Sequence, residues 1–235
     1  RYNSIMKLAS SISPNSIVKD EFDPSSESLI KAFYKFKSLG GSDIAQVSSW
    51  TDQTGNFNMS HSGAEGESPS YTATDGAVTF NGSNQKLQSS SDIVLDEMFI
   101  IAIRASIEDP ISNDVILADN TATGHFIRVK DSTTITIRIA GSTAQDFDLN
   151  TGSIVDATPF NLVISRDDDG LIKVFFNSVE QTDTNTRQGS FLLDALGVRK
   201  TDVNDLEGSI FEIQIYDGTS EISLIEKIND RLSAF

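Results

Sequence analysis

Cysteine is absent from the 235 residues, which excludes disulfides and thiolate metal sites outright. Histidine is nearly absent: His61 and His125 are the only two. They lie far apart in the chain, so a zinc site of the usual spacing has no support. No Ser/His/Asp set that the sequence places together supports nucleophilic catalysis. No apolar run approaches the roughly 20 residues of a membrane-spanning helix. The longest, Met98 to Ile103, fits a single buried strand. Basic residues are scarce, 18 Lys and Arg against 34 Asp and Glu, for a net charge of −16. A field of that sign repels phosphate backbones and anionic lipid, so nucleic acid and membrane surfaces are not expected partners. The acidity suits solubility and resistance to non-specific association, with cation binding or life in salty water as the sharper alternative.

What is present is enough for one large core. Apolar residues make up 38% of the chain and include 14 Phe, which argues against global disorder. A chain of this length buries roughly 70% of its unfolded surface in a single unit, and no long Pro/Gly/Ser linker divides it. Arg1 to Ser28 differs from the rest: Ser-rich, with Pro14 and Pro24 and only scattered apolar residues. Such a segment does not bury enough surface to fold alone, so residues 1–28 read as an N-terminal arm, either frayed or ordered against a neighbour. The chain opens on Arg1, and residues 1–20 lack the continuous apolar core of a signal peptide; a trimmed or processed chain is expected.

From residue 29 onward the dominant period is two. Ile213 and Ile215 face one way with Phe211, while Glu212, Gln214 and Tyr216 face the other. Phe160–Arg166 and Ile172–Phe176 flank an Asp-Asp-Gly turn. Further short strands are predicted at Ala77–Phe80, Lys86–Gln88, Met98–Ala105, Val115–Ala118, Phe126–Lys130, Thr134–Ile139, Asp146–Leu149, Phe191–Leu193 and Ser209–Tyr216. Polar turns such as Asn81-Gly82, Gly141-Ser142 and Asp217-Gly218 separate them. Many short strands with polar turns predict an all-β sandwich of two antiparallel sheets, since a sheet with one apolar face must be covered by a second layer. Asn58 to Ser70 reads as a mobile surface loop. Leu29 to Lys37 fits either a helix capped by Ser26 or a strand. One helix is predicted, with Ser220 as cap, over Glu221 to Leu232; Ile222, Ile225, Ile228 or Asn229, and Leu232 form its apolar face.

Five pieces in this order resemble the laminin-G-like, concanavalin A-like jelly-roll family in its phage and bacterial variety. They are Leu29-Ile-Lys-Ala-Phe-Tyr34; Trp50-Thr-Asp52-Gln-Thr-Gly55-Asn56 with Pro69-Ser-Tyr71; Val78-Thr-Phe80-Asn81-Gly82; the hairpin Phe160–Asn177; and Gly208–Tyr216 followed by a helix. The resemblance covers residues 29–235 and implies that Leu29–Lys37 is a strand. The family's hairpin usually ends in Asn-Gly, whereas here Asn177 precedes Ser178. The resemblance implies a habit of binding glycans or proteins rather than a reaction. Some members hold calcium with an Asp just before a mid-chain strand; the comparable stretch here is Gly124-His125-Phe126, so that ligand is missing, and no cofactor is expected, calcium being the one that the resemblance leaves open.

The same sandwich hosts laminarinase-type glycoside hydrolases, whose Glu-x-Asp-x-x-(x)-Glu strand aligns two carboxylates. Glu21-Phe-Asp23-Pro-Ser-Ser-Glu27 matches the spacing, but Pro24 and two Ser interrupt the strand it needs. Asp167-Asp168-Asp169-Gly170 reads as a hairpin tip, because it lacks the alternate spacing and distant Glu of a calcium loop. Trp50, the only Trp, and Tyr71 are assigned to packing, while Tyr34 and Tyr216 stand in strands as candidates for exposure. No catalytic, ligand-binding or metal residue is assigned. The expected protein is a non-enzymatic virion component, a capsid decoration or tail protein. It would dock on other virion proteins or its own copies through residues 1–28 and hold host-surface glycans. A carbohydrate-binding module of a secreted or surface bacterial protein is the alternative.

Overall fold

The computed structural model describes residues 22–61, 66–111, 113–199 and 204–235. The arm expected over residues 1–28 falls mostly outside them. The strands are β1 (Ile30–Tyr34), β2 (Ser49–Trp50), β3 (Met59–Ser60), β4 (Ser70–Thr72), β5 (Ala77–Asn81), β6 (Leu87–Leu95), β7 (Phe99–Ile107) and β8 (Val115–Ala118). There follow β9 (Phe126–Asp131), β10 (Thr134–Arg138), β11 (Gln145–Asp148), β12 (Phe160–Arg166), β13 (Leu171–Phe176), β14 (Val179–Thr186), β15 (Phe191–Leu196) and β16 (Glu207–Asp217), then one helix, α1 (Ile222–Leu232).

They form the sandwich that the period of two predicts. One sheet runs β14-β13-β12-β7-β16-β5-β4, with β1 also pairing β16; the other runs β11-β10-β9-β8-β15-β6-β3-β2. The pairings are antiparallel. β16 is the hub of the first sheet: β7 pairs along one side, β5 with its first half and β1 with its second on the other. Side chains from both sheets, including Phe99, Ile101, Ile103, Leu193, Ile213 and Ile215, close one core between them. Leu29–Lys37 contains a strand, as the family resemblance implies.

Three sequence expectations are corrected by the packing. Phe211 does not share a face with Ile213, because the register against β7 shifts between Ile210 and Glu212. The bulge extrudes Phe211, and Ile210 takes its place in the core. Second, the opposite face of β16 is not open to water. Glu212, Gln214 and Tyr216 are all fully buried, because α1 lies over them with Leu224, Ile225, Ile228 and Leu232 against Ile100, Ala102 and Val163. Third, Ser220 does not cap the helix: Glu221 is the N-cap without a side-chain hydrogen bond, and Thr219 Oγ1 accepts the Glu221 amide at 3.2 Å. Ile222 is 55% exposed, since at about 100° per residue it falls on the flank of the stripe centred on Ile225 and Ile228.

Strand β14 was not expected. Its sequence, VEQTDTNT, is polar, and its burial alternates weakly because it is an edge strand. It is joined to β13 by Asn177 and Ser178, both at positive φ (47° and 70°), the backbone of a type I′ hairpin turn. Asn58 to Ser70 is likewise not all loop: β3 pairs Trp50 of β2, and Ser68 Oγ donates to Val47 O at 2.6 Å.

The helix is fixed by charge as well as by apolar contact. Arg231 donates from Nε to Glu212 Oε1 at 2.7 Å and from Nη2 to Glu212 Oε2 at 2.9 Å. Glu212 also accepts from Gln214 Nε2 and from the Phe36 amide. Arg231→Ala would leave that carboxylate buried without its counter-charge, and a loss of about 3–5 kcal/mol is expected in urea unfolding. Adding Glu212→Gln to that variant should recover part of the loss; if it does not, the charge pair is not what holds the helix.

Candidate functional site

The residues that the sequence singled out turn out mostly to hold the fold. Trp50 is 1% exposed, packs against Tyr34 at 5.7 Å between ring centroids, and donates from Nε1 to Ser38 Oγ at 3.0 Å. Tyr71 is buried, as expected, with its hydroxyl on Gly40 O. Tyr34 and Tyr216, the candidates for exposure, are fully buried. The Tyr34 hydroxyl donates to Phe57 O and that of Tyr216 to Gln214 Oε1. Burial pushes both phenols well above their ordinary range, and nearby carboxylates reinforce the shift.

Asp52 explains the opening motif. It is 1% exposed and accepts from the amides of Phe33, Thr54, Asn56 and Phe57 and from Thr54 Oγ1. One carboxylate thereby ties the Thr-Asp-Gln-Thr-Gly-Asn turn to β1. The Asp167–Gly170 stretch is a turn: Asp167 Oδ1 accepts the Leu171 amide at 2.8 Å and Gly170 has φ +81°. Pro24–Ser26 is a 3-10 turn with Asp23 as its cap, so Asp23 and Glu27 do not share a strand face. The Ser25 hydroxyl and amide hold Asp23 below the usual carboxylate range, and Glu27 pairs with Lys227 at 3.4 Å. Glu21 lies outside the described residues.

The chemistry gathers elsewhere, on the outer face of the second sheet. Between Gln88 and Ile93 strand β6 arches away from β15, so that Ser89 to Asp92 oppose the single residue Asp194. Ile93 and Leu193 point into the core, so their neighbours Asp92 and Asp194 point outward. Asp119 follows β8 and joins them. One oxygen from each of Asp92, Asp119 and Asp194 lies within 4.8 Å of the others. Asp119 and Asp194 are buried, at 0% and 2% exposure, and Asp92 is half-buried.

Hydrogen bonds hold two of these carboxylates in place. Asp119 Oδ1 accepts from the Thr121 and Ala122 amides and from Thr121 Oγ1. Asp194 Oδ1 accepts the Asn120 amide at 2.6 Å, and Oδ2 accepts from Gln88 Nε2 at 2.8 Å. Asn120 Nδ2 closes the ring on Gln88 Oε1. Asp119 Oδ2 is buried and has no hydrogen-bond partner. His125 borders the group. Its Nδ1 accepts the Ala140 and Leu192 amides, which leaves the proton of the neutral ring on Nε2. Burial holds the imidazole below its ordinary pKa, against the pull of Asp119 and Asp92. Burial and the Asp119 charge raise Asp92. Burial likewise raises Asp194, with Asp119 and Asp92 adding to it and the Asn120 and Gln88 hydrogen bonds opposing.

Next to this acidic group, Phe126 carries two cations on the same face, with the guanidinium of Arg128 at 5.2 Å and that of Arg199 at 5.4 Å from its ring centroid. The Nε atoms of both arginines are buried without a hydrogen-bond partner. Burial and, for Arg128, the neighbouring Arg199 lower their affinity for a proton. The face therefore offers acceptors on one side and planar donors on the other.

The sequence reading missed this group because its three carboxylates lie in separate segments. Only the comparison of His125 with the family's calcium position led to its vicinity.

No protein-family model matches the sequence, and no curated protein matches it. Solved structures do match in fold. Domain 4 of AbnA, an extracellular GH43 arabinanase from Geobacillus stearothermophilus solved with arabinotriose, is 19% identical at a TM-score of 0.55, over 86% of this chain and 98% of that one. The binding domain of botulinum neurotoxin serotype G is 11% identical at a TM-score of 0.62, over 87% and 51%. The sialidase of Trypanosoma rangeli, solved with sialic acid, is 13% identical at a TM-score of 0.57, over 88% and 34%. The chain thus spans about half of the toxin domain and a third of the sialidase. These likenesses establish a jelly-roll-like β-sandwich.

The raised carboxyl of Asp194 has a consequence for stability. An Asp with its folded pKa above the unfolded value favours the native state while protonated. That contribution is full below the unfolded pKa, about 3.9, and is lost as pH rises through the folded value. In cation-free buffer, Asp194→Asn should therefore gain stability relative to the parent as pH rises from about 4. Urea midpoints across that range check it, and a pH-independent difference would contradict it.

Proposed function

We propose that this chain is a non-enzymatic glycan-binding sandwich that uses the outer face of its second sheet. The observation that carries this reading is the set of polar groups on the face just described. Asn120 and Gln88 stand beside carboxylates, and Arg128 and Arg199 stand a strand away with unsatisfied donors. Sugar hydroxyls need both donors and acceptors held in fixed positions, and a rigid sheet supplies them. Stacking is not the mode of contact, because the single Trp and the three Tyr among the described residues are buried. Supporting the reading, structural neighbours were solved with arabinotriose and with sialic acid bound.

A screen of neutral and acidic oligosaccharides against the full chain should yield saturable binding that the double variant Asn120→Ala/Arg128→Ala weakens by about tenfold or more. Absence of binding across the screen would overturn the proposal.

The finer reading is a virion component of the laminin-G-like variety, with a secreted or surface bacterial module as the alternative. One observation favours it. Arg231 Nη1 donates to Phe22 O at 3.1 Å, and Phe22 packs beside α1, so the first described residue sits on the face opposite the polar one. An arm docked on a neighbouring subunit would leave the polar face turned outward. Light scattering should then give larger assemblies for the full chain than for one starting at Phe22; equal masses would count against assembly through the arm.

A further inference from the structure

The polar face contains one feature that sugar recognition does not require. Asp92, Asp119 and Asp194 bring three carboxylates together, two of them buried, and like charges that close disfavour folding unless something compensates them. The compensation within the protein is incomplete. Among the described residues none of the three forms an ion pair with Lys or Arg. His125 has its Nδ1 occupied by two backbone amides. Five donors hold Asp119 Oδ1 and the two oxygens of Asp194. Those bonds fix the direction of the remaining oxygen, Asp119 Oδ2, which is buried and takes no hydrogen bond at all. A buried carboxylate oxygen without a donor is a costly defect unless a ligand completes it.

We infer that Asp92, Asp119 and Asp194 form a binding site for a hard divalent cation of the calcium class. The donors are all carboxylate oxygens, the set that suits calcium rather than zinc or copper. Asp119 and Asp194 stand at the end of β8 and within β15. Asp92 stands at the half-buried rim, on the arch of β6, and calcium accepts an irregular coordination shell of this kind. The arch itself has a reason on this account: it carries Asp92 over Asp194, where a regular ladder would have placed one residue opposite one. The ligand set is also distinct from the family position at residue 125, where this chain has His.

The experiment uses calcium alone, so it stands or falls separately from glycan recognition. The full chain, stripped of metal by a chelator, is titrated with calcium chloride up to about 10 mM, which brackets the roughly 10⁻⁴–10⁻³ M affinities of extracellular calcium modules. Calorimetry is expected to show one saturable site, and the melting temperature is expected to climb with calcium as mass action requires. Asp119→Asn should abolish both responses. Because Asp119 is buried and its variant can fail to fold, Asp92→Asn at the rim is the second arm. It should melt no lower than the parent in chelator, since it removes a like charge, yet lose calcium affinity by about tenfold or more. No heat and no thermal shift for the parent would overturn the inference, as would an Asp92→Asn variant that binds calcium like the parent.

Discussion

The structure depends on an ion pair that apolar packing alone would not have called for. Glu212 projects from the central strand β16 on the side away from the inter-sheet core, where a carboxylate would normally meet water. Instead α1 covers it, and the cost of desolvation is offset only because Arg231 meets it with two parallel hydrogen bonds while Gln214 and the Phe36 amide take its remaining lone pairs. Tyr216 then donates to Gln214, extending the chain of polar contacts along the strand. Apolar residues give α1 its affinity for the sheet; the charge pair fixes where along β16 it rests. A buried pair of this kind specifies position more than it adds stability.

That constraint spreads outward through the first sheet. With α1 fixed, Ile100 and Ala102 of β7 are buried on the helix side while Phe99, Ile101 and Ile103 are buried in the core, so β7 reads as an unbroken apolar run. Arg104 on the same strand donates to Leu232 O, the last carbonyl of the helix, and to Phe235 O three residues beyond it. The second charged hub, Asp52, performs a similar task at the edge by fixing the turn after Trp50 to β1. Glu212 and Asp52 thus set the positions of whole segments, and each does so by engaging its oxygens with backbone amides, polar side chains or a guanidinium.

How much of this was legible in the sequence follows from how local each signal is. The alternation in Gly208–Tyr216 and Phe160–Phe176 reports a strand with one apolar face, and that was enough for the sandwich. It could not report the helix above β16, because a residue's burial on its second face depends on a segment that arrives later in the chain; that is what buries Tyr216, whereas Tyr34 lies in the inter-sheet core against Trp50. β14 was invisible because an edge strand needs no apolar alternation. Phe211 was assigned to the wrong face because a one-residue bulge reverses the parity of a strand without changing its composition. Asp92, Asp119 and Asp194 are separated by dozens of residues and share no motif, so only the register of β6 against β15 and the path of the chain after β8 bring them together.

The two outer faces of the sandwich have consequently different fates. The outer face of the first sheet is closed by α1, by Phe22 and by the Arg231–Glu212 pair. Among the described residues no helix lies over the outer face of the second; there the small apolar group of Val115, Ala118 and Phe126 is bordered by arginines on one side and carboxylates on the other. Asp119 keeps a desolvated oxygen without a donor, whereas the fully buried carboxylates of Asp52 and Glu212 are surrounded by partners. Selection for stability alone would remove such an oxygen, since replacing Asp119 by a neutral residue takes away both the unpaired atom and the repulsion from Asp92 and Asp194. Retaining it is understandable if the face is shaped for what it binds, at some cost to the fold that carries it.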